Sequence, residues 1–149
     1  MENTKKLISH RDISMLVATG GPQIVNMVLT SGKKAIGAGS GNPPVLVDET
    51  ADLAKAAHDI VTGASFDNNL PCTAEKEIII VSEALPTFMA EFQKAGAQVI
   101  SEEKQIDKLR TMILNEELTR PKTEWVGKDA YDILTAAGIA VSYTHLRAH

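Results

Sequence analysis

The chain of 149 residues contains a single cysteine, few aromatic residues and no long hydrophobic run. One cysteine cannot form a disulfide within the chain, which predicts a reducing compartment such as the cytoplasm. No segment approaches the roughly 20 consecutive apolar residues of a membrane span. The N-terminus also lacks the apolar core of a signal peptide. The sequence therefore predicts a cytoplasmic protein that has no membrane partner.

Positive charge is also scarce. Lysine and arginine together number 15 against 19 aspartate and glutamate residues, so the formal net charge is -4, and aromatic residues make up only 4% of the chain. Nucleic-acid surfaces rely on basic patches and on aromatic rings that stack on bases. This composition gives no reason to expect a nucleic-acid partner, whereas 44% hydrophobic residues are ordinary for a globular protein.

Short apolar runs alternate with segments of helical periodicity. We predict strands at residues 13–18, 35–36, 45–47, 77–81 and 98–100. We predict one helix that begins at Pro22 and four more at residues 51–63, 86–94, 103–117 and 131–137. This alternation is typical of an α/β protein with three layers and a mostly parallel sheet. The β-branched run at 77–81 predicts a fully buried strand. Residues 142–149 lack periodicity, and we expect a disordered or foreign tail there.

Two glycine-rich segments follow predicted strands. Gly20 and Gly21 separate a strand from a helix, where backbone N–H groups and the helix dipole suit a pyrophosphate. Gly39 and Gly41 belong to the second segment, in which alternating glycine suggests close approach of another group. Neither segment has the full dinucleotide fingerprint, and a tight strand-to-helix turn requires glycine without any ligand. A cofactor site and a purely structural role both remain open at this point.

Cys72 follows the turn-forming residues 67–71, whose sequence is Asp-Asn-Asn-Leu-Pro. Such residues favour turns, which places the thiol at the mouth of a loop as a candidate nucleophile. The structural alternative is an inert packing residue, because unpaired cysteine is among the most buried residue types. The histidines show no metal-ligand spacing, so we predict no metal site and expect four solvated surface residues: His10, His58, His145 and His149.

Five segments in the same order resemble the CoA-acylating aldehyde dehydrogenases: residues 17–22, 31–39, 41–45, 47–52 and 66–72. The resemblance is to the acetaldehyde and propionaldehyde dehydrogenases of bacterial microcompartments, and the bifunctional aldehyde-alcohol dehydrogenases share a similar block. Members of this family are several times longer, so the resemblance implies a fragment. Residues 1–40 would end the nucleotide-binding domain, and residues 41–141 would begin the catalytic domain.

The resemblance implies that Cys72 is the nucleophile in the oxidation of a short-chain aldehyde by NAD to its acyl-CoA. Its backbone N–H would be one donor to the oxyanion, with a second donor from outside the chain. Gly37 stands where hydrolytic relatives carry a glutamate that activates water, which favours acyl transfer to CoA. The resemblance assigns cofactor contacts to five residues: Thr19, Gly20, Gly21, Gly39 and Gly41.

Several points stay open at the level of sequence. Gln23 and Asn26 depart from the pattern of relatives, which leaves the choice between NAD and NADP undecided. A non-catalytic nucleotide-binding or structural module and a piece of a bifunctional aldehyde-alcohol dehydrogenase are the alternatives. The resemblance implies a homo-oligomeric parent in the cytoplasm or inside a microcompartment. We expect the isolated chain to show little turnover, because strands that complete the sheet would lie outside it.

Overall fold

The computed structural model describes residues 2–39 and 41–141, so the predicted tail lies outside the described residues. The helices are α1 (Glu2–Ser9), α2 (Pro22–Leu29), α3 (Leu53–Ser65), α4 (Leu85–Lys94), α5 (Glu103–Ile113) and α6 (Ala130–Ala136). The strands are β1 (Met15–Thr19), β2 (Lys34–Ala38), β3 (Pro44–Val47) and β4 (Glu77–Ile80). No helix in the described ranges is long and apolar enough to cross a membrane. The chain divides into two compact units, Met1–Gly41 and Asn42–His149.

The first unit is built on a parallel pair of strands, β1 and β2, in which Val17 lies opposite Ile36. Ile8 from α1, Leu16 from β1 and Val28 from α2 form its buried core. The other face of the pair is open, because Val17 is 73% and Ile36 55% exposed. The apolar composition of residues 13–18, the predicted first strand, is typical of a strand buried on both faces. That prediction is wrong for one face, since the described helices cover only the other.

Gly37 allows α2 to pack closely on β2. A Cβ at this position would lie 2.9 Å from Val25 Cγ1 and 3.4 Å from Leu29 Cγ. The first distance is well inside van der Waals contact, so a side chain here would require Val25, or the helix that carries it, to shift. The close packing of α2 on β2 is therefore sufficient to explain a glycine at this position.

The second unit has the same plan. Strands β3 and β4 pair in parallel, and the helices α3 and α4 pack on one face of the pair. The buried core consists of Val47, Ala57, Ile60 and Phe88. On the other face Leu46 is 72% and Ile79 54% exposed. The prediction of a fully buried β4 is therefore wrong, because only alternate side chains of the strand meet the helices.

Helix α3 begins after a tight polar turn. The Thr50 hydroxyl and backbone N–H donate to the Asp48 carboxylate at 2.7 Å and 2.9 Å, and these hydrogen bonds lower the pKa of Asp48. Asp52 then caps the helix by accepting from the Lys55 N–H at 3.1 Å. Ala57 and Ile60 face the core, so the predicted amphipathic helix is confirmed.

The segment after α4 departs most from prediction. Residues 98–100 form no strand in the structure, so that prediction is wrong; the Gln98 side chain donates to the Ala140 carbonyl at 2.8 Å instead. Helix α5 ends at Ile113, earlier than predicted, because Leu114 is extended and pairs with Pro121. A third buried cluster lies here and consists of Leu134, Ala137 and Ile139.

The α/β class and the parallel pairing of strands are confirmed. The described strands form two separate pairs, one in each unit, where the sequence pattern had suggested a single sheet. Each pair carries its helical layer on one face. Within the described ranges, a second helical layer of the predicted three-layer plan is not present on the open faces.

We expect Gly37→Ala to lower the free energy of unfolding by about 1–3 kcal/mol, because the added methyl group overpacks the contact between α2 and β2. Gly39→Ala is the matched control, since a Cβ there would meet nothing within 4 Å. For this control we expect a change within about 0.5 kcal/mol. Urea denaturation of both variants measures the difference. Equal destabilisation by the two substitutions would contradict the packing role of Gly37.

Candidate active site

The two predicted glycine-rich segments lie at the carboxyl ends of β1 and β2. Thr19, the last residue of β1, lies opposite Ala38, and the Gly20 N–H donates to the Ala38 carbonyl at 3.1 Å. Gly39 follows Ala38 directly, and Gly41 is exposed two residues further on. Ligands of open α/β sheets bind outside the carboxyl ends of the strands. The structure thus brings Thr19, Gly20 and Gly39 to the edge where a cofactor is predicted.

Gly21 opens α2 at the same edge. It is the N-cap residue with an extended backbone at φ -65° and ψ 165°, and no side chain caps the helix. A Cβ on Gly21 or Gly39 would meet nothing within 4 Å, so the space beside both residues is open. An uncapped helix N-terminus favours negative charge through its N–H groups and its dipole. The open space and the uncapped helix start are what binding of a phosphate group at this edge would require.

Cys72 lies in the second unit, in the loop between a tight turn at Phe66–Asn69 and strand β4, and it is exposed. The predicted loop position is confirmed. Exposure contradicts the alternative in which the cysteine is a buried packing residue. Cys72 lies in a turn that is closed by a hydrogen bond from the Ala74 N–H to the Pro71 carbonyl at 3.1 Å. Ala74 itself is buried, with 4% of its surface exposed. The thiol therefore belongs to a short and accessible segment.

Three consecutive residues before this segment have left-handed backbones. The angle φ is 47° at Asp67, 51° at Asn68 and 62° at Asn69. Most L-residues avoid this region for steric reasons, and aspartate and asparagine tolerate it best because their short polar side chains bond locally. The Asp-Asn-Asn sequence is thus explained by the backbone it must adopt. Backbone strain of this kind clusters at functional sites.

The amide groups of two asparagines hold the turn in place. Asn69 Nδ2 donates to the carbonyl oxygens of Ala64 at 2.7 Å and Glu75 at 3.1 Å. Asn68 Nδ2 donates to the Gly127 carbonyl at 3.0 Å. Asn69 therefore joins the end of α3 to the residues after Cys72, and Asn68 joins the turn to a segment much later in the chain. Both ends of the cysteine loop are fixed.

Two residues that follow the cysteine make contacts that the sequence did not predict. Lys76 Nζ donates to the backbone carbonyls of Asn69 and Pro71, each at 3.2 Å, and to the side-chain carbonyl of Asn69. The Glu75 carboxylate packs against Gly63 of α3 and would have to move if that residue carried a Cβ. A lysine four positions after a cysteine that itself follows a turn is the signal that could have indicated the first contact.

Metal ligands are not gathered in the part of the chain that the structure describes. No group of three or more His, Cys, Asp or Glu side chains that could hold a metal ion occurs among those residues. His10 and His58 are exposed, as predicted, and the other two histidines lie outside the described ranges.

Comparison with known proteins bears directly on the Cys72 thiol. Residues 2–120 match the model of the aldehyde dehydrogenase family. The chain is similar to the propanal dehydrogenase (CoA-propanoylating) of Citrobacter freundii, with 50% identity over 140 residues that cover 94% of this chain and 30% of the relative. The chain thus spans less than a third of the length of that relative.

Solved structures agree with this similarity. A propionaldehyde dehydrogenase of Rhodopseudomonas palustris, with bound CoA and an acylated cysteine, is 51% identical with a TM-score of 0.86 over 94% of this chain and 32% of its own. A propionaldehyde dehydrogenase from the Clostridium phytofermentans fucose utilisation bacterial microcompartment is 45% identical, with a TM-score of 0.86 over 94% of this chain and 32% of its own. The predicted resemblance and fold are confirmed.

We expect Asn69→Ala to destabilise the protein more than Asn69→Gly. Both substitutions remove the hydrogen bonds that the Asn69 side-chain amide donates to the Ala64 and Glu75 carbonyls, and each of these contributes about 1 kcal/mol. Alanine at a φ of 62° adds a steric cost of roughly 1 kcal/mol that glycine avoids. Thermal and urea unfolding of the pair separate the backbone effect from the side-chain effect. Equal unfolding free energies of the two variants would contradict the role assigned to the left-handed backbone.

Proposed function

The chain belongs to the aldehyde dehydrogenase family, and on that premise we propose that it is the cysteine-bearing part of an enzyme that oxidises a short-chain aldehyde to its acyl-CoA. One observation carries the proposal: Cys72, the only cysteine of the chain, is exposed on a loop whose two ends are fixed. The relative with an acylated cysteine and bound CoA supports it. Because the chain spans about 30% of its curated relatives, the activity is proposed for the whole protein that contains it.

Cys72 acts as the nucleophile in this proposal. Its thiolate attacks the carbonyl carbon of the aldehyde, a C–S bond forms, and negative charge collects on the carbonyl oxygen. The Cys72 backbone N–H donates to that oxygen. The hydrogen on the same carbon then leaves as hydride, which oxidises the carbon to a thioester on Sγ. The thiol of CoA loses its proton to solvent and attacks this thioester, the bond between the acyl carbon and Sγ breaks, and acyl-CoA departs while the Cys72 thiolate returns.

A nicotinamide cofactor, when bound, accepts the hydride. We assign contact with this cofactor to Thr19, Gly20, Gly21, Gly39 and Gly41. The open space beside Gly21 and Gly39 supports the assignment, since a ligand can approach the backbone there. The uncapped start of α2 stabilises negative charge and suits the phosphates of the cofactor.

CoA is the proposed acceptor of the acyl group, and the support comes from relatives. One is a CoA-propanoylating enzyme and another was solved with CoA bound. The glycine at position 37 adds little, because Val25 and Leu29 of α2 pack closely on this position and favour glycine there in any case. It nevertheless provides no carboxylate that could activate water.

The cellular setting and assembly remain proposals. A relative from a bacterial microcompartment supports a position in such a compartment or in the cytoplasm. The single cysteine is compatible with reducing surroundings. The homo-oligomeric state stays a prediction from the resemblance, and light scattering of the whole protein measures it.

In the whole protein that contains this sequence, we expect NADH and acyl-CoA to form from propionaldehyde only when CoA is supplied, and Cys72→Ala to abolish both products. The loss follows because alanine cannot form the C–S bond; a fall of about 1,000-fold or more is expected for removal of a nucleophile. Absorbance of NADH and mass spectrometry of the acyl-CoA measure the two products. Repeating the assay with NADP+ in place of NAD+ shows which of the two cofactors the enzyme uses.

His58→Ala, an exposed position on α3, serves as the control and should retain activity. Full activity of the Cys72→Ala variant would contradict the proposal that Cys72 is the nucleophile. Rapid formation of the free acid without CoA would contradict only the proposed acceptor. Rapid alkylation of Cys72 in the folded chain near neutral pH is also expected, whereas labelling only after unfolding would favour an inert cysteine.

A further inference from the structure

We propose that Lys76 is a positioning residue for the oxyanion that forms at Cys72, because its ammonium group fixes and polarises the peptide group between Pro71 and Cys72. The inference rests on the proposed role of Cys72 as a nucleophile. It adds a residue that neither the sequence motifs nor the family resemblance indicated.

The Lys76 ammonium has as many acceptors as it has donors. A protonated lysine carries three N–H donors and no acceptor. Nζ donates to the backbone carbonyls of Asn69 and Pro71 at 3.2 Å each, and the third acceptor is the side-chain carbonyl of Asn69. All three oxygens belong to residues just before the cysteine. The ammonium therefore converges on the turn that presents the thiol and leaves no N–H of its own unused.

The contact with Pro71 bears directly on the proposed oxyanion donor. The Pro71 carbonyl and the Cys72 N–H are opposite ends of one planar peptide group, so fixing the oxygen also fixes the direction of the N–H. The same oxygen accepts a second hydrogen bond from the Ala74 N–H at 3.1 Å, which occupies both of its lone pairs. A positive charge at the carbonyl end strengthens the N–H at the other end as a donor.

The backbone of Lys76 is anchored to the strands. Its N–H donates to the Pro43 carbonyl at 3.1 Å, immediately before β3 begins, and Lys76 itself directly precedes β4. The lysine thus connects the start of the strand pair to the peptide group of Cys72. Groups supported by strands hold their geometry better than groups supported by loops alone. This connection is what a positioning residue requires.

Two reagents distinguish positioning of an oxyanion donor from a general change at the thiol. With p-nitrophenyl acetate, the Cys72 thiolate attacks the ester carbonyl through a tetrahedral oxyanion, p-nitrophenolate leaves, and a thioester remains on Sγ. With iodoacetamide, the thiolate displaces iodide and no oxyanion forms. A change in thiolate fraction alters both rates by the same factor, whereas the loss of an oriented N–H slows only the first reaction. The 149-residue chain suffices, because it has one cysteine.

We expect Lys76→Met to slow acylation by p-nitrophenyl acetate by about tenfold relative to alkylation by iodoacetamide, which is less than the loss caused by removing an oxyanion donor itself. Lys55→Met is the matched control: it removes one positive charge from an exposed lysine of α3 that pairs with Asp59. Its ratio of acylation to alkylation should equal that of the unsubstituted chain. Release of p-nitrophenolate and mass spectrometry of alkylated Cys72 provide the rates.

An unchanged ratio in folded Lys76→Met would overturn the proposal, as would an equal change in Lys55→Met. Circular dichroism establishes folding, and Lys76→Gln, which keeps a polar side-chain end, is expected to shift the ratio in the same direction if Lys76→Met does not fold. Neither reagent requires an aldehyde, NAD or CoA. The assay of aldehyde oxidation can therefore fail while this ratio holds, and the ratio can fail while aldehyde oxidation holds.

Discussion

The left-handed reversal of the backbone at residues 67–69 determines where Cys72 lies. Three residues with positive φ cost roughly 1 kcal/mol each, and asparagine and aspartate reduce that cost. Three hydrogen bonds donated by the side-chain amides of Asn68 and Asn69 each contribute about 1 kcal/mol to the stability of this turn. The two contributions are of similar size, so the reversal depends on these bonds. The position of Cys72 is thereby linked to the end of α3 and to the carbonyl of Gly127.

The packing of each unit places its candidate site at an end of its strands. In the first unit α2 can lie close to β2 because Gly37 has no side chain. The helix begins directly after β1, so its start lies at the carboxyl end of that strand, where the Gly20 N–H donates to the Ala38 carbonyl. In the second unit the cysteine loop precedes β4 and is joined to Pro43 at the start of β3. Both units therefore carry their proposed site residues on turns that adjoin the strands.

Periodicity in the sequence was sufficient where one face of an element meets a core. The spacing of Leu53, Ala57 and Ile60 predicted α3, and the structure buries that side. A continuous apolar run does not show which of its faces is covered, so the exposure of Ile79 could not be predicted. Residues 98–100 have strand-like composition, but the Gln98 side chain donates a hydrogen bond to the Ala140 carbonyl and no ladder forms. The exposure of Cys72 was predictable from the turn residues before it. The contacts of Lys76 were not, because they exist only once the chain has reversed.

Exposure of Lys76 decides how its contacts should be understood. Hydrogen bonds of a solvent-exposed ammonium exchange with water at little net gain, so they contribute little to the stability of the fold. The same bonds restrict direction, since three acceptors around one nitrogen define where it lies relative to Asn69 and Pro71. The proposed effect of Lys76 is therefore expected in the rate of reaction at Cys72, where a small bias in the orientation of one peptide group matters, and not in the free energy of unfolding. For an attacking thiol this distinction matters, because charge on the developing oxyanion is stabilised only by a donor that already points toward it.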